Sequence, residues 1–337
     1  MRNQHTLRRA LVTGASGFLG ARLVQALVNC DVDVIGLDLT PPPIGQRGEF
    51  MRGSVTDAYA VRTAMEDCDT VFHLAALSDL WRRDPEDFHR VNAQGADVIQ
   101  AAARDQAVKK LVYCSSLTTL VSASQPAPCD PYEVDERCEL APETLCGPYP
   151  ASKRAGELIT LAAARQGLNA SIALPTLPVG PGDRTLTPPT RMLLDFLNGD
   201  TPAYLQTNMN VIHVDDAAAG LIATAERGAP GERYILGGDN LMMDALLALL
   251  SEVSGRKTPK LRVPYVIAEW AARASTALAN RGRTEQPKAP MTGVRLAGRP
   301  AIFNTDKAAR DLAFRARPAG VAIADFVAWA RAQGLAD

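Results

Sequence analysis

The 337-residue chain carries 36 Lys and Arg against 37 Asp and Glu, a formal net charge of −1, and 47% of its residues are hydrophobic. That is enough for one large α/β domain or two sharing a cleft, while the near-neutral balance and scattered basic residues give no electrostatic case for nucleic acid or an anionic membrane. No apolar stretch approaches a membrane span, so neither partner is expected and no membrane insertion is read.

Met1-Arg2-Asn3-Gln4-His5-Thr6 reads as entering the first strand without an apolar signal segment, which points to the cytoplasm. Six cysteines without a Cys-x-x-Cys pair suit a reducing compartment; Cys129, Cys138 and Cys146 lie close together, but with no histidine beside them they read as loop cysteines and no metal is expected.

The organising stretch is Leu11-Val12-Thr13-Gly14-Ala15-Ser16-Gly17-Phe18-Leu19-Gly20, a short apolar strand that runs into a glycine-spaced turn and a helix from Phe18 to Val28. Three glycines at intervals of three let the backbone turn tightly and approach a ligand, and the helix offers unpaired N–H groups of Phe18, Leu19 and Gly20 to a pyrophosphate. Asp31 to Leu37 reads as a second strand with Asp38 at its end, eighteen residues after Gly20, where a carboxylate accepts bonds from an adenosine ribose and repels an NADP phosphate. NAD is therefore expected rather than NADP, although Arg47 or Arg52 would be the residues to reach a phosphate.

A proline-rich loop (Pro41-Pro42-Pro43) follows, then a helix through Asp67; Asp57 reads as the cap of that helix, as a bond to the adenine amino group of the cofactor, or as both at once. Thr70 to Ala76 reads as a third strand; Leu74, Ala75 and Ala76 are expected beside the dinucleotide, and His73 reads as buried and satisfied. Apolar spacing predicts one long helix from Pro85 to Asp105 that contains Asn92, a polar amide placed to satisfy backbone or to fix a water or a lysine. Lys110 to Ser116 reads as a fourth strand ending in hydroxyls at the sheet's carboxyl edge. The proline-rich stretch from Leu117 to Gly147 is long enough to be functional, and Tyr149-Pro150-Ala151-Ser152-Lys153 then opens a helix to Gln166.

Asn169 to Leu174 reads as another strand, and Val211-Ile212-His213-Val214-Asp215-Asp216 leads into a helix to Arg227. Beyond a short strand at Tyr234–Leu236 the pattern is mostly helical, with helices at Met243–Ser254, Val263–Leu278 and Val321–Gln333. The stripe of Val266, Ile267, Trp270 and Ala274 reads as core, and the basic run Arg281 to Arg299 as either a linker or a flap over the cleft. Strands alternating with helices predict an α/β fold, a doubly wound parallel sheet with a smaller, mostly helical C-terminal substrate domain. Residues 1–174 with 209–238 would hold the dinucleotide, and 175–208 with 239–337 the substrate.

A tyrosine hydroxyl with its ordinary pKa near ~10 needs a nearby cation and a helix N-terminus to act as a base at neutral pH. Lys153, one turn after Tyr149, supplies the cation, and Ser116 on the facing strand end would bond the substrate oxygen. Tyr149 would then move a proton while a nicotinamide moves a hydride at the same carbon, interconverting a secondary alcohol and a ketone. A non-catalytic protein that senses the dinucleotide is the alternative.

These motifs, Gly14-x-x-Gly17-x-x-Gly20, Ser115-Ser116, Tyr149-x-x-x-Lys153 and Ile212-His213-Val214-Asp215-Asp216, together resemble the extended short-chain dehydrogenase/reductases, the NAD-dependent epimerase/dehydratase group with its Rossmann-type sheet, over nearly the whole chain. Leu80-Trp81-Arg82-Arg83-Asp84-Pro85, Asp195-Phe196-Leu197-x-Gly199 and Pro202-Ala203-Tyr204 are most similar to hopanoid-associated sugar epimerases, neighbours of the dihydroflavonol 4-reductases. The resemblance implies Tyr149 as acid/base, Lys153 on the nicotinamide ribose, Ser116 on the substrate oxygen, Asn92 in support, and a homodimer built through the helices at Pro85–Asp105 and Tyr149–Gln166. Pro175 joins the expected cofactor contacts, and Ser78, Trp81, Leu117, Thr118, Leu177 and Met209 are the expected substrate contacts.

Two departures bear on the substrate. Where nucleotide-sugar members carry an arginine-aspartate pair this chain has Met209 and Asn210, and their Arg-Pro-x-Asn segment is here Leu174-Pro175-Thr176-Leu177. Both remove polar grip on a diphosphate, whose burial without partners is costly, so a weakly charged, partly apolar small molecule is expected. Arg184, Arg191 or Arg295 would have to hold a phosphate for the alternative, an NAD-dependent sugar or nucleotide-sugar epimerase/dehydratase with retained cofactor.

Overall fold

The computed structural model describes residues 7–336; Met1–Thr6, where the reading of the N-terminus falls, and Asp337 lie outside the described residues. The chain opens with β1 (Arg9–Thr13), α1 (Phe18–Asn29), β2 (Asp33–Asp38), β3 (Glu49–Arg52), α2 (Ala58–Ala64) and β4 (Thr70–His73). Next come α3 (Glu86–Phe88), a π-helical stretch (His89–Gln94) and α4 (Gly95–Asp105), one helical run where one helix is predicted, followed by β5 (Lys110–Cys114), β6 (Tyr132–Val134), α5 (Pro148–Arg165), β7 (Ala170–Pro175) and β8 (Leu177–Val179). The middle holds α6 (Pro188–Leu197), β9 (Ala203–Tyr204), β10 (Asn208–His213), α7 (Val214–Arg227), β11 (Arg233–Leu236), β12 (Asp239–Met242) and α8 (Met243–Ser254). The C-terminal part is β13 (Leu261–Arg262), α9 (Tyr265–Asn280), α10 (Met291–Ala297), β14 (Ala301–Phe303), α11 (Asp306–Leu312) and α12 (Ala319–Ala332).

Seven strands form one parallel sheet in the order β11-β7-β5-β4-β1-β2-β3. Successive side chains of a strand point to opposite faces, and here both faces are covered, which is why the strands read as near-continuous apolar runs. Leu11 packs with Ile99, Leu111 and Ile172 on one face. Its neighbour Val12 packs with Leu23, Leu221 and Tyr234 on the other. The winding direction reverses between β1 and β4, and this opens a crevice above their carboxyl ends. β3, at the sheet edge, has no counterpart in the sequence reading.

β10 joins β8 in parallel and β12 antiparallel in a separate three-stranded sheet. With α6, α8 and α12 it builds a third core of Leu193, Phe196, Leu246, Ile323 and Phe326. The junction at the start of α7 is polar. Arg22 of α1 grips Asp215 through Nε and Nη2 at 2.5 and 2.7 Å, Arg317 Nε donates to Asp216 at 2.9 Å, and buried His213 bonds Asp325 at 3.0 Å through Nε2. That run is thus a structural clasp rather than part of the crevice.

Two C-terminal expectations change. The stripe on α9 read as core faces outward, with Trp270 68% and Ile267 59% exposed, because the helix packs through its opposite side, Tyr265, Ala272 and Ala279. The second half of the Arg281–Arg299 run is the flap: residues 281–286 are exposed, whereas α10 lines the crevice. Among the described residues no helix is long and apolar enough to cross a membrane.

Candidate active site

β1 delivers the chain to Gly14, whose φ of 72° lies in the left-handed region that glycine adopts without strain. A Cβ there would come within 2.7 Å of Ala75 N, because the end of β4 packs directly on the turn. Ala75 N donates to Thr13 Oγ1 at 3.1 Å and locks the two strand ends together. A Cβ on Gly20 would overlap the Gly14 carbonyl, so α1 crosses its own strand at backbone distance. No side chain caps the N-terminus of α1, and Gly17, Phe18, Leu19 and Gly20 line the cavity there. That end is a ready anion site.

Asp38 closes the turn from the far side. Its Oδ2 accepts from Ser16 N at 3.0 Å, and Oδ1 accepts from Thr40 N and Oγ1 at 3.0 and 3.1 Å. A carboxylate beside the glycine turn fits a ribose diol. Arg52 Nε is spent on the Leu39 carbonyl at 3.1 Å, and neither it nor Arg47 lines the cavity. The residues present therefore fit a dinucleotide without a 2′-phosphate.

The cavity continues past the switch point to a total of about 1110 Å³. Ser116 lies two residues beyond the end of β5 and caps the short 3₁₀ turn Leu117–Leu120, its Oγ accepting from Thr118 N at 3.2 Å. Tyr149 is the second residue of α5, behind Pro148, where a missing N–H costs nothing. Burial pushes its phenol up to about 12, opposed by a hydrogen bond with the Ser116 hydroxyl. The predicted lowering by Lys153 is therefore not met: Lys153 Nζ donates to the Cys114 carbonyl at 2.6 Å and lies 4.8 Å above the Tyr113 ring. Burial pulls the lysine's own pKa down, while Cys114 and Glu157 act in the opposite sense. His73 is buried with Thr13 Oγ1 2.8 Å from Nδ1, but its Nε2 finds no partner; burial first and the Lys153 charge second lower it to about 3.

The structure gathers Gly14, Ser16, Gly17, Phe18, Leu19, Gly20, Asp38, Leu74, Ala75, Ala76, Ser116, Tyr149, Lys153 and Pro175 around this cavity, with Ser78, Leu117, Thr118, Leu177 and Met209. Three expected residues stand elsewhere. Asp57 caps α2, accepting from Tyr59 N and Ala60 N. Asn92 clamps Leu77 in both directions (2.8 and 3.0 Å) and donates to Ser152 Oγ at 2.9 Å, so it braces the loop after β4 against α5 without lining the cavity. Trp81 turns away to donate to Asn280 at 2.9 Å.

Asn210 lines the cavity, with its amide held in a reciprocal pair with the Gly238 backbone. Of the three arginines considered for a phosphate, only Arg191 lines the cavity. Sequence reasoning placed a cleft wall after Leu174 but missed the residues that build its outer part, where α6 supplies Met192, Leu193 and Phe196 and α8 supplies Leu246, Leu247 and Leu250. Periodicity predicts α8, whereas α6 follows a proline- and glycine-punctuated stretch in which no helix is read, and no local pattern shows that the two converge on one cavity.

The family described as NAD dependent epimerase/dehydratase matches residues 10–237 of the chain. A protein of Synechocystis sp. named a dihydroflavonol 4-reductase is 33% identical over 336 residues, which cover 96% of this chain and 94% of that protein. The 4-hydroxy-2-methyl-3-oxo-4-farnesyl-3,4-dihydroquinoline-1-oxide ketoreductase of Stigmatella aurantiaca is 31% identical over 323 residues, 92% of each chain. The crystal structure of gox2253 superposes with a TM-score of 0.83 at 33% identity, covering 97% of this chain and 99% of that one.

Proposed function

The chain belongs to the NAD dependent epimerase/dehydratase family, and from that premise we propose that it interconverts a secondary alcohol and a ketone on a weakly charged, partly apolar small molecule. The observation that carries this reading is the wall of the cavity beyond Ser116 and Tyr149. It includes Leu177, Met192, Phe196, Met209, Leu246 and Leu250, and among the described residues the two buried cations that line the same cavity are spent on backbone carbonyls, Lys153 on Cys114 and Arg299 on Ala123, Gln125 and Arg295. Cavities of this lining take apolar ligands and orient them with a few polar groups. The Stigmatella relative bears the name of a ketoreductase acting on a farnesylated quinoline oxide, which agrees with such a pocket.

The glycine turn and Asp38 would hold the cofactor, which would supply a hydride to the ketone carbon as NADH or accept one from the carbinol carbon as NAD. The chain's own residues handle the oxygen. Ser116 Oγ holds it, and Tyr149 exchanges a proton with it. A phenol pushed up to about 12 stays protonated at neutral pH, the state that gives a proton to a forming alkoxide when a ketone is reduced. Lys153 sits one turn below and brings positive charge to the same floor. In this division of labour the segments 1–174 with 209–238 and 175–208 with 239–337, read from the sequence as cofactor and substrate parts, meet at the cavity, where Pro175 joins the cofactor side and Met209 the substrate side. We further propose a cytoplasmic homodimer packed through α4 and α5.

The test is NADH oxidation followed with a panel of apolar ketones and of nucleotide sugars, for the wild type and Tyr149→Phe. Turnover of apolar ketones that falls at least about a hundredfold in the variant supports the reading. Activity confined to nucleotide sugars overturns it. Arg191, exposed on the cavity rim, favours a second reading, a sugar or nucleotide-sugar epimerase/dehydratase that retains its NAD.

A further inference from the structure

α9 has its sides reversed relative to a surface helix of a soluble protein, which puts its apolar stripe inward. Its inward contacts are the widely spaced Tyr265, Ala272 and Ala279, and its outward arc is Val266, Ile267, Trp270, Ala271, Ala274 and Leu278. Glu269 and Arg273 pair with each other on the flank at 2.8 Å, and from there the Arg273 guanidinium reaches over the Trp270 ring, 5.5 Å from its centre. Trp270 is 68%, Val266 57% and Leu278 39% exposed, and Leu261, just before the helix, is 64% exposed.

The charge around this face is equally biased. Between residues 256 and 288 there are eight Lys or Arg and two Glu, an excess of six positive charges in a chain whose total is −1; of the eight, Arg262 is paired with Asp244 at 2.7 Å. Lys257, Lys260, Arg281, Arg283 and Lys288 are all exposed. The near-neutral total, which gave no case for an anionic partner, conceals this concentration. An amphipathic helix with Trp and aliphatic residues on one face, rimmed by Lys and Arg, has the chemistry of a helix lying in a lipid interface.

We propose that the outward face of α9 docks this protein peripherally on an anionic phospholipid bilayer, with the helix axis in the plane of the interface. A second copy of the chain fits less well, because two such faces would bring their basic rims together. The position is also suited to an apolar substrate. α10 packs between α9 and the cavity, which it lines with Gly293, Val294, Leu296 and Ala297, and Trp81 ties the C-terminal end of α9 to the loop whose Leu80 and Arg82 line the same cavity. The docking inference stands on the surface alone and does not require the proposed reaction.

The test is co-sedimentation of the full chain with vesicles of phosphatidylcholine alone and with one-third phosphatidylglycerol, at low and high salt. Binding to the anionic vesicles that weakens with salt is expected. Arg281→Gln with Arg283→Gln should weaken it about 30-fold, at roughly fivefold per charge, and Trp270→Ser about tenfold. All of these side chains are exposed, so the variants should unfold at the wild-type temperature, and light scattering should show their oligomeric state unchanged. Absence of binding to anionic vesicles at low salt overturns the proposal. So does binding that neither substitution alters, or a Trp270→Ser variant that falls apart into monomers, which would make the face a contact between copies.

Discussion

Glu157→Gln should be the most destabilising conservative substitution in the sheet's vicinity. Glu157 lies fully buried on α5, one turn after Lys153, and collects four partners. Arg154 Nη1 donates to Oε2 at 2.7 Å, Arg233 Nη2 lies 3.0 Å from the same oxygen as an ion pair without hydrogen-bond alignment, and Thr119 Oγ1 donates to Oε1 at 2.7 Å. Ser115 Oγ donates to Oε1 as well. The glutamine keeps the volume but leaves two buried guanidinium groups without a counter-charge, and breaking a buried pair in this way costs about 3–5 kcal/mol. Urea denaturation followed by circular dichroism reads the loss. In a cycle with Arg233→Met, the double variant should lose at least ~1 kcal/mol less than the sum of the single ones. Ser115 and Thr119 bracket Ser116, so turnover should drop with stability. A loss below ~1 kcal/mol for Glu157→Gln, or strict additivity, would refute the claim that this carboxylate organises the floor of the site.

Other outcomes follow from single positions. Gly20→Ala forces the turn apart and should weaken NAD binding at least tenfold by calorimetry, roughly 1.4 kcal/mol, whereas Gly320→Ala in α12, with open space around its Cβ, should leave binding unchanged and stabilise by ~0.5–1 kcal/mol. His73 titrates at about 3 in the fold against an ordinary 6.5. The unfolded chain therefore binds the extra proton first as pH falls, and His73 withdraws stability at up to ~1.4 kcal/mol per unit between those values. Denaturation midpoints from pH 7 to pH 4 should fall less steeply for His73→Asn than for the wild type. The difference in absorbance between wild type and Tyr149→Phe at 295 nm should show no tyrosinate from this residue below about pH 11, given its value of about 12.

What the sequence discloses here is whatever a local pattern encodes. The spacing of Gly14, Gly17 and Gly20, the carboxylate ending β2 and the four-residue step from Tyr149 to Lys153 each specify a geometry within one or two elements, and the fold brings them to one cavity. Asn92 and Asp57 show the limit of that logic. A lone amide or carboxylate is as apt to brace backbone as to meet a ligand, and only its neighbours decide, here Leu77 and Ser152 for one and the α2 N-terminus for the other. β3 is a four-residue edge strand with no alternation to announce it. The stripe on α9 fails differently: periodicity identifies a face but carries no information on whether it points into a core or away from one.

The most direct test of the proposed reaction is the fate of a deuteride. The protein would be incubated with NADH labelled at the transferring position and an apolar ketone that it turns over, and the product alcohol examined by mass spectrometry. Hydride transfer coupled to Tyr149 predicts one deuterium on the carbinol carbon and loss of product formation in Tyr149→Phe. Unlabelled alcohol, or tightly held cofactor that is never consumed while a sugar centre inverts, would contradict it.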